Sequence, residues 1–388
     1  MTQRHANHPL APIHRYALPG GAIALLACAA IGFFGKSHAI FFNAWLFAWL
    51  FWFGISMGCM GLTMMHQLTG GDWGTLIRPI TSAAARALPL LFILFIPILF
   101  GLRDLFPWAN PDLLQHDPIL AHQHSYLNPT QFLIRFILYF AVWIVMSWPV
   151  TAPSLGHGRT RRALSAPGLV LYVLLMTLAA VDWIMSRQAH WTSTVFGFIT
   201  VVSQTLTALC FIIVIVWTRS SIPQIAAFAR PSHFNDLGNL LLTLVILWAY
   251  MNFSQYLITW TGNEQRDVGW YVQRTYGGWR AIGGIIIFIH FLTPLILLMF
   301  RDIKQRINRL GILAAALLAL RILDLYWNVG PLREDDPHSG FTLSLMDVLA
   351  WIGIGGIWFW VFTRALARRP ALEPVDNADE ESHEPQVA

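Results

Sequence analysis

Apolar residues run along this chain in ten long blocks, near residues 18–35, 40–69, 84–105, 129–151, 164–186, 191–219, 236–261, 278–300, 310–329 and 341–366, with short polar connections between them. A helix that crosses a bilayer needs about 20 predominantly apolar residues. Each block therefore predicts one crossing, and the chain reads as an all-α polytopic membrane protein of about ten helices. The first block resembles a signal peptide, with small residues at Ser37-His38-Ala39 in cleavage spacing. Its apolar stretch is long for an h-region and Lys36 sits just before the site, so it reads as a retained helix.

Composition supports a lipid environment. Of 388 residues, 56% are hydrophobic and 12% charged, whereas soluble domains carry about 25% charged residues. The net charge of +5 suggests no nucleic-acid partner, because the basic residues lie in short clusters between apolar blocks, where they orient helices. The three cysteines, Cys28, Cys59 and Cys210, each lie inside an apolar block and form neither a CxxCH haem-attachment motif nor an iron–sulfur ligand set.

With the amino terminus inside, the inner connections hold sixteen cations, Arg78, Arg86, Arg159, Arg161, Arg162, Arg301 and Lys304 among them. The outer ones hold seven: Lys36, Arg103, Arg187, Arg266, Arg274, Arg280 and Arg333. This bias predicts both termini in the cytoplasm. Residues 1–17 read as a cytoplasmic segment, 18–367 as the transmembrane domain, and 368–388, rich in proline and acids, as a disordered tail. Two outer segments, 106–128 with its histidines and 262–277 with Trp270, Tyr271 and Tyr276, look like docking or capping surfaces. His122 and His124 with a neighbouring carboxylate could hold Cu or Zn, though their spacing matches no tight structural site.

A faint repeat crosses the chain. Val181-Asp182-Trp183 is echoed by Leu323-Asp324-Leu325 at an offset of 142, and Arg135 by Arg280 at an offset of 145. Four helices per unit give two four-helix bundles, helices 2–5 and 6–9, with the first and tenth peripheral.

A charge near mid-bilayer costs roughly 2.5–3.5 kcal/mol even on insertion scales, so each one needs a partner or a wet cavity. Arg135, Asp182, Arg321, Asp324 and Asp347 all fall in the outer half of their helices, Asp347 nearly two turns into the tenth. Arg321 and Asp324 stand three apart and share a helix face, which lets them pair. Tyr250, Asn252, Ser254, Gln255 and Tyr256 of the seventh helix lie at similar depth. The set reads either as a proton relay or quinol pocket, or as ion pairs that lock helices together. On the inner half, Cys59, Thr63 and His66 form one stripe, and His290 lies near the middle of the eighth helix. Each histidine is a proton-path or a packing residue. Haem ligation needs two imidazoles at matching depth, and these two differ by roughly two turns.

The run Val181-Asp182-Trp183-Ile184-Met185-Ser186 followed by His190-Trp191-Thr192-Ser193-Thr194, with Tyr126-Leu127-Asn128 and Arg135 before it, resembles the second large membrane subunit of alternative complex III. Asp236-Leu237-Gly238-Asn239, Trp248-Ala249-Tyr250 and Ser254-Gln255 support the same match. That complex is a bacterial quinol:cytochrome c (or cupredoxin) oxidoreductase of the inner membrane, and the subunit is similar to the polysulfide-reductase NrfD type. The resemblance implies two four-helix bundles, a paired NrfD-like subunit, and periplasmic haem c and iron–sulfur subunits that carry the redox centres. The chain itself would hold no cofactor, with quinone or quinol as a possible ligand. It further implies an outer proton-handling group of Arg135, Asp182, His190 and Asp324 and an inner one of His66 and His290, and the reading of the buried charges adds Arg321 and Asp347 to the outer candidates. Two rival readings stand beside it: a secondary transporter built from two bundles, for which Gly283-Gly284 and Thr293-Pro294 are the candidate helix breaks, and a structural anchor for periplasmic redox subunits.

Overall fold

A computed structural model of the protein describes residues 11–35, 38–152, 158–330 and 340–372. Arg4, Lys36, Ser37, Arg333 and the tail beyond 372 lie outside them. Among the described residues ten helices are long and apolar enough to cross a membrane: α1 (Ile13–Phe34), α2 (His38–Thr69), α3 (Trp73–Phe100), α4 (Pro129–Thr151), α5 (Thr160–Arg187), α6 (Phe196–Arg219), α7 (Pro231–Gly262), α8 (Trp279–Met299), α9 (Ile307–Val329) and α10 (Leu345–Ala367). The chain is an all-α, multi-pass membrane protein.

The centre is α2, buried without interruption from Phe41 to Met64. A helix apolar on every side must be covered on every side. Helices α3, α4 and α5 gather around α2, α7 and α9 pack on α6, and α8 lies against α7 and α9. The two bundles meet where α2 packs on α6, and α10 lies on α2 with α1 against its outer flank. The α2–α6 contact depends on Gly58, where a Cβ would sit 2.3 Å from the Gln204 carbonyl oxygen. Helices in lipid associate through such small residues, because exclusion of water contributes nothing between them.

The third span begins eleven residues earlier than the apolar block at 84–105 implied. Arg78 and Arg86 mark that stretch as a loop in sequence, yet Arg78 is buried within the helix Trp73–Ala85. A second segment, Leu88–Phe100, follows after a kink at Arg86-Ala87. Pro89 lacks the N–H that would bond the carbonyl four residues back, so the helix bends just before it.

At the α2–α3 turn, His66 Nε2 lies 2.9 Å from the Gly71 carbonyl oxygen and its ring meets Trp73 edge-on. Thr63 donates to Cys59 O within its own helix. The polar stripe of α2 is therefore spent on local bonds. A Cβ on Gly74 would fall 1.8 Å from His66 Nε2. Gly74→Ala is expected to expel the ring from this turn and cost about 1–3 kcal/mol, the penalty of overpacking. A thermal-unfolding midpoint in detergent equal to that of the parent protein would contradict this.

The segment 101–128 is ordered by a device repeated three times, an Asx residue followed by proline. Asn110, Asp117 and Asn128 accept from the backbone N–H of Asp112, Ile119 and Gln131 at 2.9–3.0 Å, and Pro111, Pro118 and Pro129 take the first helical position. Such caps contribute about 1 kcal/mol each. This segment, 188–195 and 263–278 lie on one face of the protein, termed here the loop face, and are stitched together. Trp108 donates to Ser186 Oγ, Gln123 to Ala189 O and Gln188 to Gln273 Oε1, while Trp191 stacks on Trp270.

Candidate functional site

The five outer-half charges singled out in the sequence fall into three separate groups near the loop face. In the first bundle, Arg135 of α4 reaches Asp182 of α5 with two parallel bonds, Nε to Oδ2 at 2.8 Å and Nη2 to Oδ1 at 2.9 Å. Tyr139, one turn further along α4 and so on the same face, donates to Oδ2 at 2.9 Å. Arg135 also donates to Tyr126 O and lies 3.8 Å from the centre of that ring. Asp182 is fully buried, above an aromatic layer in which Trp183 meets Trp49, Phe53 and Trp143. Both its oxygens are satisfied, and a forked Arg–carboxylate pair is among the strongest polar contacts.

The second group lines a cavity of about 50 Å³ between the bundles. Arg321 Nη1 lies 2.8 Å from Asp324 Oδ2 on α9, as their spacing of three implied, and Arg321 Nε donates to Thr207 of α6 at 3.1 Å. Thr200, Ser203, Gln204 and Asn328 add hydroxyls and amides to walls otherwise formed by Leu50, Phe51 and Ile184. One water occupies about 30 Å³ in the liquid, so this space suits one or two. Behind the pair, the Arg321 guanidinium lies 5.7 Å from the Trp248 ring, and Trp248 meets His290 edge-on at 4.4 Å.

His290 is wholly buried and neither ring nitrogen has a hydrogen-bond partner. It sits in a π-helical stretch, Ile286–Leu292, that interrupts α8. Pro294 explains the interruption: it cannot donate to the His290 carbonyl, and the widened turn absorbs the missing bond. The chain stays helical from Trp279 to Met299 through both Gly283-Gly284 and Thr293-Pro294, so α8 has a widened turn there and not a broken helix.

Asp347 forms the third group. It stands in the first turn of α10, not two turns in, because the helix starts at Leu345 and residues 341–344 run outside it. Its Oδ2 accepts from Ser344 N at 2.8 Å and from the Tyr326 hydroxyl at 3.2 Å, which closes a capping box.

Four further placements concern residues singled out in the sequence. His190 pairs with Asp117 of the 101–128 segment, Nε2 to Oδ2 at 2.9 Å, and so ties two connections together on the loop face beside the Arg135–Asp182 pair. Arg280, the repeat partner of Arg135, is exposed, so Asp182 is held from a neighbouring helix and Asp324 from its own. On α7 only Gln255 of the polar set is buried, accepting from Ser193 Oγ at 2.5 Å, whereas Tyr250 and Tyr256 face outward at 63% and 46% exposure. His122 and His124 are exposed.

Two arginines that read as loop cations in sequence are buried fasteners, Arg187 between the two bundles and Arg274 within the second. Arg187 donates to Asn43 Oδ1 of α2 and to Val329 O of α9, both at 2.6 Å. Arg274, 2% exposed, donates to Trp270 O, Trp327 O and Asn328 O with its guanidinium 3.5 Å from the Trp270 ring. Burial pulls the Arg274 pKa well below the ordinary guanidinium value. Their only sequence signal was the aromatic residues beside Arg274.

No family model matches the chain, and no curated protein matches it.

Proposed function

We propose that this chain is the second large, NrfD-type membrane subunit of a bacterial quinol:cytochrome c (or cupredoxin) oxidoreductase, holding no redox centre and supporting quinol oxidation by moving protons. The observation that carries this reading is the Arg321–Asp324 pair facing a small polar cavity between two helical bundles. Asp324 is held on one side by Arg321 and faces hydroxyls and amides on the other. It can exchange its proton with a water in that space, while Arg321 keeps the anion tolerable in a medium of low dielectric. The Arg135–Asp182–Tyr139 group, with both carboxylate oxygens engaged, acts as the lock that holds α4 on α5. The loop face, with its stitched connections, is the periplasmic surface on which haem- and iron–sulfur-bearing subunits dock, and the cation bias puts both termini in the cytoplasm of the cell.

Two measurements test this. Purification from the native membrane in mild detergent, followed by mass spectrometry, is expected to recover haem-bearing partners. Recovery of the chain alone counts against the respiratory reading. In the assembled complex, Asp324→Asn is expected to lower quinol:acceptor turnover or proton release at least tenfold. Unchanged values in an intact complex would leave the chain as an anchor. A transporter of the paired-repeat type uses broken helices in both repeats, whereas α8 stays helical from Trp279 to Met299.

A further inference from the structure

Helices α1 and α10 run in opposite directions and meet through glycines: a Cβ on Gly356 would fall 2.6 Å from Ala17 O, and one on Gly21 2.9 Å from Gly353 O. One turn beyond that contact, at the end of the pair away from the loop face, His14 Nδ1 lies 2.7 Å from Thr363 Oγ1 and the His14 ring stacks on Trp360. Three exposed guanidiniums stand around this clamp, Arg15 of α1 and Arg364 and Arg368 of α10. Arg364 lies 5.2 Å from the centre of the Trp360 ring and Arg15 5.7 Å from that of Tyr16. Arg364 and Arg368, four apart, share a helix face. Among the described residues none of the three forms an ion pair. The first turn of α1 carries no acidic residue, so the positive end of its dipole adds to their charge.

We infer that this end of the α1–α10 pair binds the phosphate of an anionic phospholipid, one whose head group carries no cation of its own, such as phosphatidylglycerol. Phosphate oxygens accept paired bonds from a guanidinium, and each basic residue at the membrane surface strengthens the hold on anionic lipid about fivefold. The cations stand at the foot of an apolar surface that faces lipid. Tyr16, Gly20 and Ile23 lie on one face of α1, with Tyr16 and Ile23 at 66% and 67% exposure. A Cβ on Gly20 would meet nothing within 4 Å, so the face has a notch between the two larger side chains in which an acyl chain can lie. Tryptophan and tyrosine settle at the head-group level of a bilayer, and Trp360 and Tyr16 hold Arg364 and Arg15 beside them there. A soluble phosphate would meet the guanidiniums but not the notch, whereas a phospholipid meets both. The choline of a zwitterionic lipid would bring a fourth cation among three. The site shares no residue with the Arg321–Asp324 cavity and does not depend on the respiratory reading.

The test is native mass spectrometry of the purified full-length chain, released from dodecyl maltoside micelles that hold equal amounts of phosphatidylglycerol and phosphatidylcholine with the same acyl chains. Retention of phosphatidylglycerol is expected to exceed that of phosphatidylcholine at least about tenfold. Arg15→Gln, Arg364→Gln and Arg368→Gln should each reduce the ratio by up to about fivefold, and the triple variant should bring it close to one. Arg301→Gln, an exposed cation beyond the inner end of α8, is the control and should leave the ratio unchanged. All four side chains are exposed, so the variants are expected to elute from size exclusion with the parent protein. A parent ratio below about two, or a ratio that survives the triple variant, overturns the inference. So does a loss in Arg301→Gln as large as in the triple variant, which would mean that net charge alone draws the lipid. Displacement of the lipid by millimolar inorganic phosphate would give the arginines to a soluble anion, and a preference that emerges only after removal of the acid-rich residues 373–388 would give them to that segment; either result also overturns it.

Discussion

Asp182→Ala is expected to produce the largest loss of stability of any single change at a charged residue, about 3–5 kcal/mol, because it leaves the Arg135 cation in place with no counter-charge. Arg135 would keep only the Tyr126 carbonyl and ring, and the Tyr139 hydroxyl would lose its acceptor. The double replacement Arg135→Met with Asp182→Leu removes both charges, fills a similar volume, and is expected to recover most of the loss. Buried pairs replaced together by apolar residues often cost little. Thermal unfolding of the purified protein, followed by size exclusion, reads both. A double variant as unstable as Asp182→Ala would show that the pair does more than lock α4 to α5, and would return Asp182 to the proton-handling group that the sequence resemblance implied.

The second large effect is expected at Gly58. Its absent side chain lets α2 approach α6 so closely that a Cβ would meet Gln204 O at 2.3 Å and the Ala208 side chain at 2.7 Å. Backbone oxygen cannot swing aside as a side-chain tip can, so Gly58→Ala should force the two helices apart. Gly58→Leu should prevent the bundles from meeting at all. Because the Arg321–Asp324 cavity is built from α2, α5, α6 and α9 together, its walls would separate as well. Overpacking of a tight core costs about 1–3 kcal/mol for one or two added carbons, and more for Leu. Gly54, whose Cβ would meet only the Gln204 side chain at 3.3 Å, provides the control: Gly54→Ala should be mild. Fluorescence-detected size exclusion of the three variants checks the order, and a monodisperse Gly58→Leu peak at the parent position would refute it.

Much of this protein is local and was legible in order. The ten crossings follow from apolar run length and the Arg321–Asp324 pair from a spacing of three on one helix. The three Asx-Pro caps in 101–128 were equally present in sequence, although histidines rather than caps drew the reading there.

Partners far apart in the chain were not legible. Asp182 is 47 residues from Arg135, Arg187 reaches Asn43 across 144, and His190 turns to Asp117 rather than toward Asp182. The repeat assigned Arg280 to the role of Arg135, and the structure leaves it exposed. Run length and helical spacing act within one element, where the chain fixes the geometry, and so the sequence by itself determined the helices, their number and the one pair that a single helix can make. Which faces meet depends on how ten helices pack, and that is decided by close approaches such as Gly58 on Gln204 and by shape across bundles. Only the tertiary structure therefore decided that Arg135 with Asp182, Arg321 with Asp324, and Asp347 form three groups, and that the second of them lines a cavity between the bundles.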